Sequence, residues 1–185
     1  GLWWQTWVPD GEDWRAVPLR LPIGAFSQPS LSSQREMIRI CTEIWQRTSL
    51  TTYLEWGAGC GNFAVAAAHH FTTGLIVETD PIVTPALEEN LRPHSHFRRS
   101  SSLQNGTGEK LFALVNPPRS GLGAALSHYL SGDVAEMIYI ACNPVQFLQE
   151  WPSLQTRFEL RSSWLVNQFP RTHHFEVMVH LMSRG

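Results

Sequence analysis

The five residues Gly57-Ala58-Gly59-Cys60-Gly61 constrain this chain more than any other segment. They follow an apolar, β-rich run, Thr51–Trp56, and precede a helical pattern over Asn62–His70 that carries Ala64, Ala66, Ala67 and Ala68. Glycine lets the backbone turn sharply and lets a ligand approach the main chain closely. The helix that follows presents its first amides to that ligand. Glu78 ends the next strand-like run, Gly74–Glu78, about 20 residues on, where an acidic side chain can accept hydrogen bonds from both ribose hydroxyls of an adenosine cofactor. The spacing G-x-G-x-G differs from the G-x-G-x-x-G of dinucleotide sites. The turn therefore implies a Rossmann-like α/β fold with a nucleotide-type ligand.

The rest of the chain repeats the strand–helix alternation. Pro81–Leu91 reads as a helix opened by its proline, and Leu111–Val115 as a strand ending at Asn116-Pro117-Pro118. Gly121–Leu130 reads as a helix and Met137–Ala141 as a strand ending at Cys142. Two longer strand-like runs, Phe158–Val166 and Phe175–Met182, close the chain. Such alternation predicts a mostly parallel sheet with helices on both faces, and the consecutive terminal strands predict an antiparallel edge hairpin. Ahead of this domain, residues 1–30 form a Trp- and Pro-rich extension. Its runs Leu2–Val8 and Trp14–Leu21 read as strands joined at Pro9-Asp10-Gly11, packing on one end of the core. A helix runs from Ser32 or Ser33, as its cap, to about Arg47, with Met37, Ile40, Cys41, Ile44 and Trp45 on its apolar face. The reading is thus an extension over residues 1–30 and a domain over 31–185. Ser100–Gly108 reads as a loop.

Composition excludes several classes. Of 185 residues 43% are hydrophobic and 16% charged, which is the balance of a globular chain. No apolar run reaches the ~18 residues of a membrane span, so no membrane contact is expected. Gly1–Pro9 lacks the basic start and long apolar core of a secretory signal. A net charge of −2 argues against a chain whose main task is gripping phosphate backbones. The three cysteines, Cys41, Cys60 and Cys142, include no C-x-x-C pair, so no zinc or iron–sulfur site is signalled, and an odd count suits the reducing cytoplasm.

Three segments fall at the ends of predicted strands, where ligands bind in open α/β sheets. They are Asn116-Pro117-Pro118-Arg119-Ser120-Gly121, Ala141-Cys142-Asn143-Pro144, and the run from Phe169 through His174 to Glu176. The glycine turn, with Glu55 two positions upstream, resembles motif I of Rossmann-like methyltransferases that use S-adenosylmethionine. The three segments together resemble the catalytic domain of the RNA 5-methyluridine methyltransferases, in which D-P-P-R-x-G, S-C-N-P and F-P-x-T-x-H-x-E occur in this order. Phe26-Ser27-Gln28-Pro29-Ser30 resembles that family's F-x-Q-x-N, so the likeness covers roughly residues 20–182. It implies that Gln28, Glu55, Gly57, Gly59, Gly61, Asn62, Glu78 and Asn116 hold the cofactor. It also implies that Cys142 attacks C6 of uracil and that Glu176 removes the C5 proton. Pro117, Arg119, Asn143 and His174 would face the substrate, a uridine of tRNA or rRNA flipped out of its stack.

The chain departs from that family at several places. Asn116 and Asn167 stand where the family has aspartate. After Cys-Asn-Pro the family usually has x-T-x-A-R-D, and this chain has Val145-Gln146-Phe147-Leu148-Gln149-Glu150. No counterpart of the family's RNA-binding β-barrel domain is expected among these 185 residues. RNA would then be held by the catalytic domain, where Arg92, Arg98 and Arg99 with His94 and His96 form a basic cluster that could touch phosphate, or by a protein partner. Two alternatives follow from these departures. One is a degenerate methyltransferase fold that binds cofactor or a protein without catalysis. The other is an amino-methyltransferase using Asn116-Pro117-Pro118, although Arg119 replaces the aromatic residue that signature carries.

Overall fold

A computed structural model describes residues 2–25, 30–103, 108–168 and 175–184. Strands β1 (Leu2–Asp10) and β2 (Asp13–Leu21) pair antiparallel around Gly11, whose φ of 64° suits the tight turn. Helix α1 (Leu31–Trp45) is capped by Ser30, not by Ser32 or Ser33: the Ser30 hydroxyl accepts from the Ser33 amide. The main body then alternates β3 (Thr52–Trp56), α2 (Asn62–Ala67), β4 (Thr73–Val77), α3 (Thr84–Leu91), β5 (Phe97–Ser100) and β6 (Leu111–Val115). It continues with α4 (Leu126–Ser131), β7 (Val134–Ala141), α5 (Pro144–Leu154), β8 (Phe158–Val166) and β9 (Glu176–Ser183).

The seven strands of the body are ordered β5-β4-β3-β6-β7-β9-β8, and β9 alone runs against the rest. The expected antiparallel hairpin is present, with its second strand inserted between β7 and the edge strand β8. Alternate residues of each strand feed two cores. Tyr53, Ile76, Phe112, Leu114 and Ile138 pack on one face with α1, α2, α3 and the β1–β2 hairpin. Leu54, Val77, Ala113, Met137 and Tyr139 pack on the other with Leu122, Tyr129 and Leu154. The chain order reverses between β3 and β6, and the crevice beyond the ends of those strands is where an open α/β sheet takes its ligand.

The hairpin is joined to the body by side-chain bonds as well as packing. Thr6 Oγ1 donates to the Asn62 carbonyl at 2.7 Å, and the buried Gln34 amide donates to the Gln5 carbonyl at 2.8 Å. Asn90 of α3 exchanges bonds with the Arg20 main chain and also donates to the Cys60 carbonyl. Helix α3 starts at Thr84 instead of Pro81, because Asp80 turns the chain first: its carboxylate accepts from the Ile82 amide and its carbonyl from those of Val83 and Thr84. No helix among the described residues is long and apolar enough to cross a membrane.

Candidate active site

The glycine turn is held open by close packing. Gly57, Gly59 and Gly61 all have positive φ, at 77°, 55° and 89°. A Cβ on Gly57 would overlap the Asn116 carbonyl oxygen, whereas the place of a Cβ on Gly59 is open space. The first glycine thus lets β3 and β6 approach at the switch point, and the second leaves a cradle for a ligand. Glu78, at the end of β4, closes the turn from the side. Its carboxylate accepts from the Gly59 amide at 2.8 Å and from the Thr79 and Asp80 amides at 2.7 and 2.8 Å.

A cavity of about 660 Å³ opens above these strand ends. Gly57, Gly59 and Glu78 line it on one side; Asn116, Pro117 and Arg119 line it in the middle; Cys142 and Glu176 line the other side. A smaller cleft of about 80 Å³ shares Gly57, Gly59 and Asn116 with it and continues between the turn and the hairpin, where Asn62, Trp4 and Leu19 form its walls.

Strand register explains the meeting of Cys142 and Glu176, which lie far apart in sequence. Ala141 pairs with Val177 in the antiparallel β7–β9 ladder, so the next residue on each strand reaches the same edge of the sheet. Both come out at the end of β7 that faces the cavity. Glu176 is buried, and its Oε2 has no hydrogen-bond partner among the described residues. Burial pushes this carboxyl up to about 6, with the Arg119 guanidinium pulling the other way. The Cys142 thiol is held above its ordinary range by burial first and by the Glu176 carboxylate second. Arg119, which lines the same cavity, opposes both.

Other expected site residues have different surroundings. Glu55 is fully buried beneath the turn, outside the cavity lining, where Tyr53 donates to it at 2.9 Å. Gly61 lies against Leu87. Asn143 donates to the Arg119 carbonyl at 3.1 Å and so ties the two loops together. Gln28 and His174 lie outside the described residues. In the basic cluster, Arg99 is paired with Glu88 at 2.6 Å. His94 and His96 stand near the start of β5, the end of that parallel strand away from the cavity. Three site residues had no sequence signal of their own. Thr79 and Asp80 line the cavity only because the chain turns directly after Glu78. Glu150, buried under the Arg119 loop, stands at the last acidic position of the altered run after Cys142.

Comparison with known proteins gives a consistent set of likenesses. A family model described as tRNA (Uracil-5-)-methyltransferase matches residues 82–184. An uncharacterized RNA methyltransferase of Bdellovibrio bacteriovorus is 25% identical over 96% of this chain and 49% of its own length. A 23S rRNA (uracil(747)-C(5))-methyltransferase of Vibrio vulnificus is 35% identical over 67% of this chain and 35% of its own. The crystal structure of a Pyrococcus abyssi tRNA (uracil-54, C5)-methyltransferase in complex with S-adenosyl-L-homocysteine superposes with a TM-score of 0.75. It is 18% identical, covering 90% of this chain and 42% of that one, and shares the fold. The chain spans about half the length, or less, of the curated relatives it matches.

Proposed function

The chain belongs to the tRNA (uracil-5-)-methyltransferase family, and on that premise we propose that it methylates C5 of a uridine in RNA. The observation that carries this reading is the convergence of Cys142 and Glu176 on one cavity, across Asn116 and Arg119 from the glycine turn. S-adenosylmethionine supplies the methyl group when bound. The open cradle at Gly59, the Glu78 carboxylate at its side and the adjoining cleft at Asn62 suit an adenosine carrying an amino-acid tail. Gln28 and Glu55 belong to the same proposal, one as a contact and the other as the support beneath the turn.

C5 of uracil is a weak nucleophile, and the role of Cys142 is to change that. Its thiolate adds to C6, and the electrons of the C5–C6 double bond become enolate-like at C5. C5 could then accept the methyl group that S-adenosylmethionine would supply, leaving its sulfur as the neutral thioether. The Glu176 carboxylate removes the C5 proton, the C6–S bond breaks, and the Cys142 thiolate leaves with its electron pair. Arg119 anchors the uridine or its phosphate beside Pro117, and Asn143 and His174 belong to the same proposal as substrate-binding residues. The three free cysteines are in keeping with a cytoplasmic protein.

The test is trapping on RNA that contains 5-fluorouridine. Fluorine at C5 cannot leave as a proton would, so the protein with cofactor should stay covalently attached through Cys142. C142A should form no adduct. A cofactor-loaded chain that gives no adduct on either tRNA or rRNA pools would sink the C5 chemistry. Calorimetry with S-adenosylhomocysteine tests cofactor binding independently.

A further inference from the structure

Glu150 is a buried carboxylate that takes no part in the chemistry above. It stands on α5, about two helical turns past Cys142, and each of its oxygens has a different task. Oε1 accepts from the Leu122 amide at 2.7 Å, and Oε2 accepts from the Tyr139 hydroxyl at 2.9 Å. Leu122 leaves the tight turn Pro118–Gly121, which is closed by the Gly121 amide donating to the Pro118 carbonyl at 2.8 Å. Gly121 has φ 80°, and a Cβ there would overlap Glu150 Oε1. The carboxylate therefore sits directly beneath the turn that carries Arg119. From the other side, Asn143 holds the Arg119 carbonyl. Tyr139 lies on β7 and its ring packs on Phe147 of α5 at 5.0 Å, so Glu150 is braced by the two elements that flank Cys142.

We propose that Glu150 is a positioning residue, which fixes the Pro118–Gly121 turn so that Arg119 stays on the cavity it lines together with Cys142. Its value to the reaction rests on the reading of Cys142 as nucleophile. Among the described residues the charged groups acting on that thiol are Glu176 from β9 and Arg119 from the turn, while the thiol in turn acts on Tyr139 of β7. Arg119 is the cation of the two. A turn freed from Glu150 would let this exposed side chain leave, and the thiol would lose the group that favours its thiolate.

The experiment is alkylation of Cys142 by iodoacetamide in the full chain as a function of pH, resolved by mass spectrometry. The buried Cys41 and Cys60 act as internal references for folding. E150A is expected to slow alkylation several-fold at neutral pH and move its midpoint upward. R119Q should do the same, and E150A/R119Q should be no slower than R119Q alone. E150Q, which keeps an acceptor for the Leu122 amide, should recover most of the wild-type profile. A wild-type profile in E150A, or additive effects in the double variant, would overturn the proposal. Should E150A fail to fold, Y139F provides the same test: an intermediate upward shift is expected, and an unmoved midpoint overturns the role. The RNA adduct is read separately. A chain that shows these shifts without trapping RNA counts against the proposed reaction alone, and one that traps RNA with an unmoved E150A profile counts against the positioning role alone.

Discussion

At the scale of single residues, the site depends on what Gly57 lacks. Replacing it with alanine would force an L side chain into φ 77° and drive its Cβ into the Asn116 carbonyl. Strain of that kind costs about 1–3 kcal/mol. G57A should therefore melt earlier and bind S-adenosylhomocysteine more weakly, as denaturant curves and calorimetry would record. G57A with wild-type stability and binding would refute this account of the turn. The ionisable pair supports a second expectation. In the proposed reaction Glu176 must be ionised to accept a proton and Cys142 must be a thiolate to attack, while burial holds both groups protonated to higher pH than usual. The methyl-transfer rate should fall as pH drops through about 6, where Glu176 protonates, and should keep rising above neutrality as the thiol ionises. Stopped pH series on wild type and E176Q check this, and a flat profile between pH 5 and 9 would contradict it. These two residues are legible in the sequence only through the family resemblance, since their meeting is made by the β7–β9 register. Glu150 and Gln34 are illegible for a related reason. A lone Glu or Gln on a helix carries no sign of which loop or strand will fold over it.

At the scale of elements, the β1–β2 hairpin behaves as part of the body. Val8 and Leu19 are 0% and 1% exposed and lie in the same core as Tyr53 and Phe112. L19A should accordingly destabilise the whole protein by about 2–5 kcal/mol, the usual cost of emptying a buried leucine site. It should do so in one transition, with β1 amides exchanging no faster than those of β3. Early exchange confined to residues 2–21 would show instead that the hairpin unfolds alone. Sequence patterning located the elements that carry a clear period or a glycine or proline boundary. It missed β5 and α5. The former is four residues long, with Arg98 and Arg99 inside it, and is recognisable as a strand only from its ladder with β4. The latter contains Pro152 and exposes Val145 and Leu148, so its apolar stripe is blurred. It also starts one residue past Asn143, where the family motif draws attention to Cys142 and away from the helix behind it. Helix α2 stops at Ala67 instead of His70, because His69 and His70 close it with shorter turns.

At the scale of the molecule, stability and reactivity draw toward opposite ends of the pH range. Glu55 lies at the centre of the sheet, fully buried, and burial pushes its carboxyl up to about 8; its bond from Tyr53 opposes that shift and the charge of Glu78 adds to it. Its Oε1 has no hydrogen-bond partner among the described residues, as suits a carboxyl that keeps its proton. Below the ordinary value of 4.5 both folded and unfolded chains hold that proton, and its contribution to stability is fully present. As pH rises beyond 4.5 the unfolded chain releases the proton while the folded chain keeps it, so stability falls until about 8 and then levels off. Glu176 acts in the same direction up to about 6. His70 and His94 act in the other: burial lowers both, so stability is lost as pH falls from 6.5 through their folded values. The chain should then be most stable in mildly acidic solution, whereas the Cys142 thiolate forms on the alkaline side. Bound cofactor can offset the difference, because any ligand of the folded state stabilises it by mass action. E55Q keeps an acceptor for Tyr53 and removes the ionisation. Urea midpoints measured from pH 5 to 9 should fall with rising pH in the wild type and stay nearly level in E55Q up to about 8. The gap near the top of that range should be on the order of a few kcal/mol. Parallel curves for the two proteins would mean that Glu55 ionises as readily in the fold as out of it, and that the alkaline loss arises elsewhere.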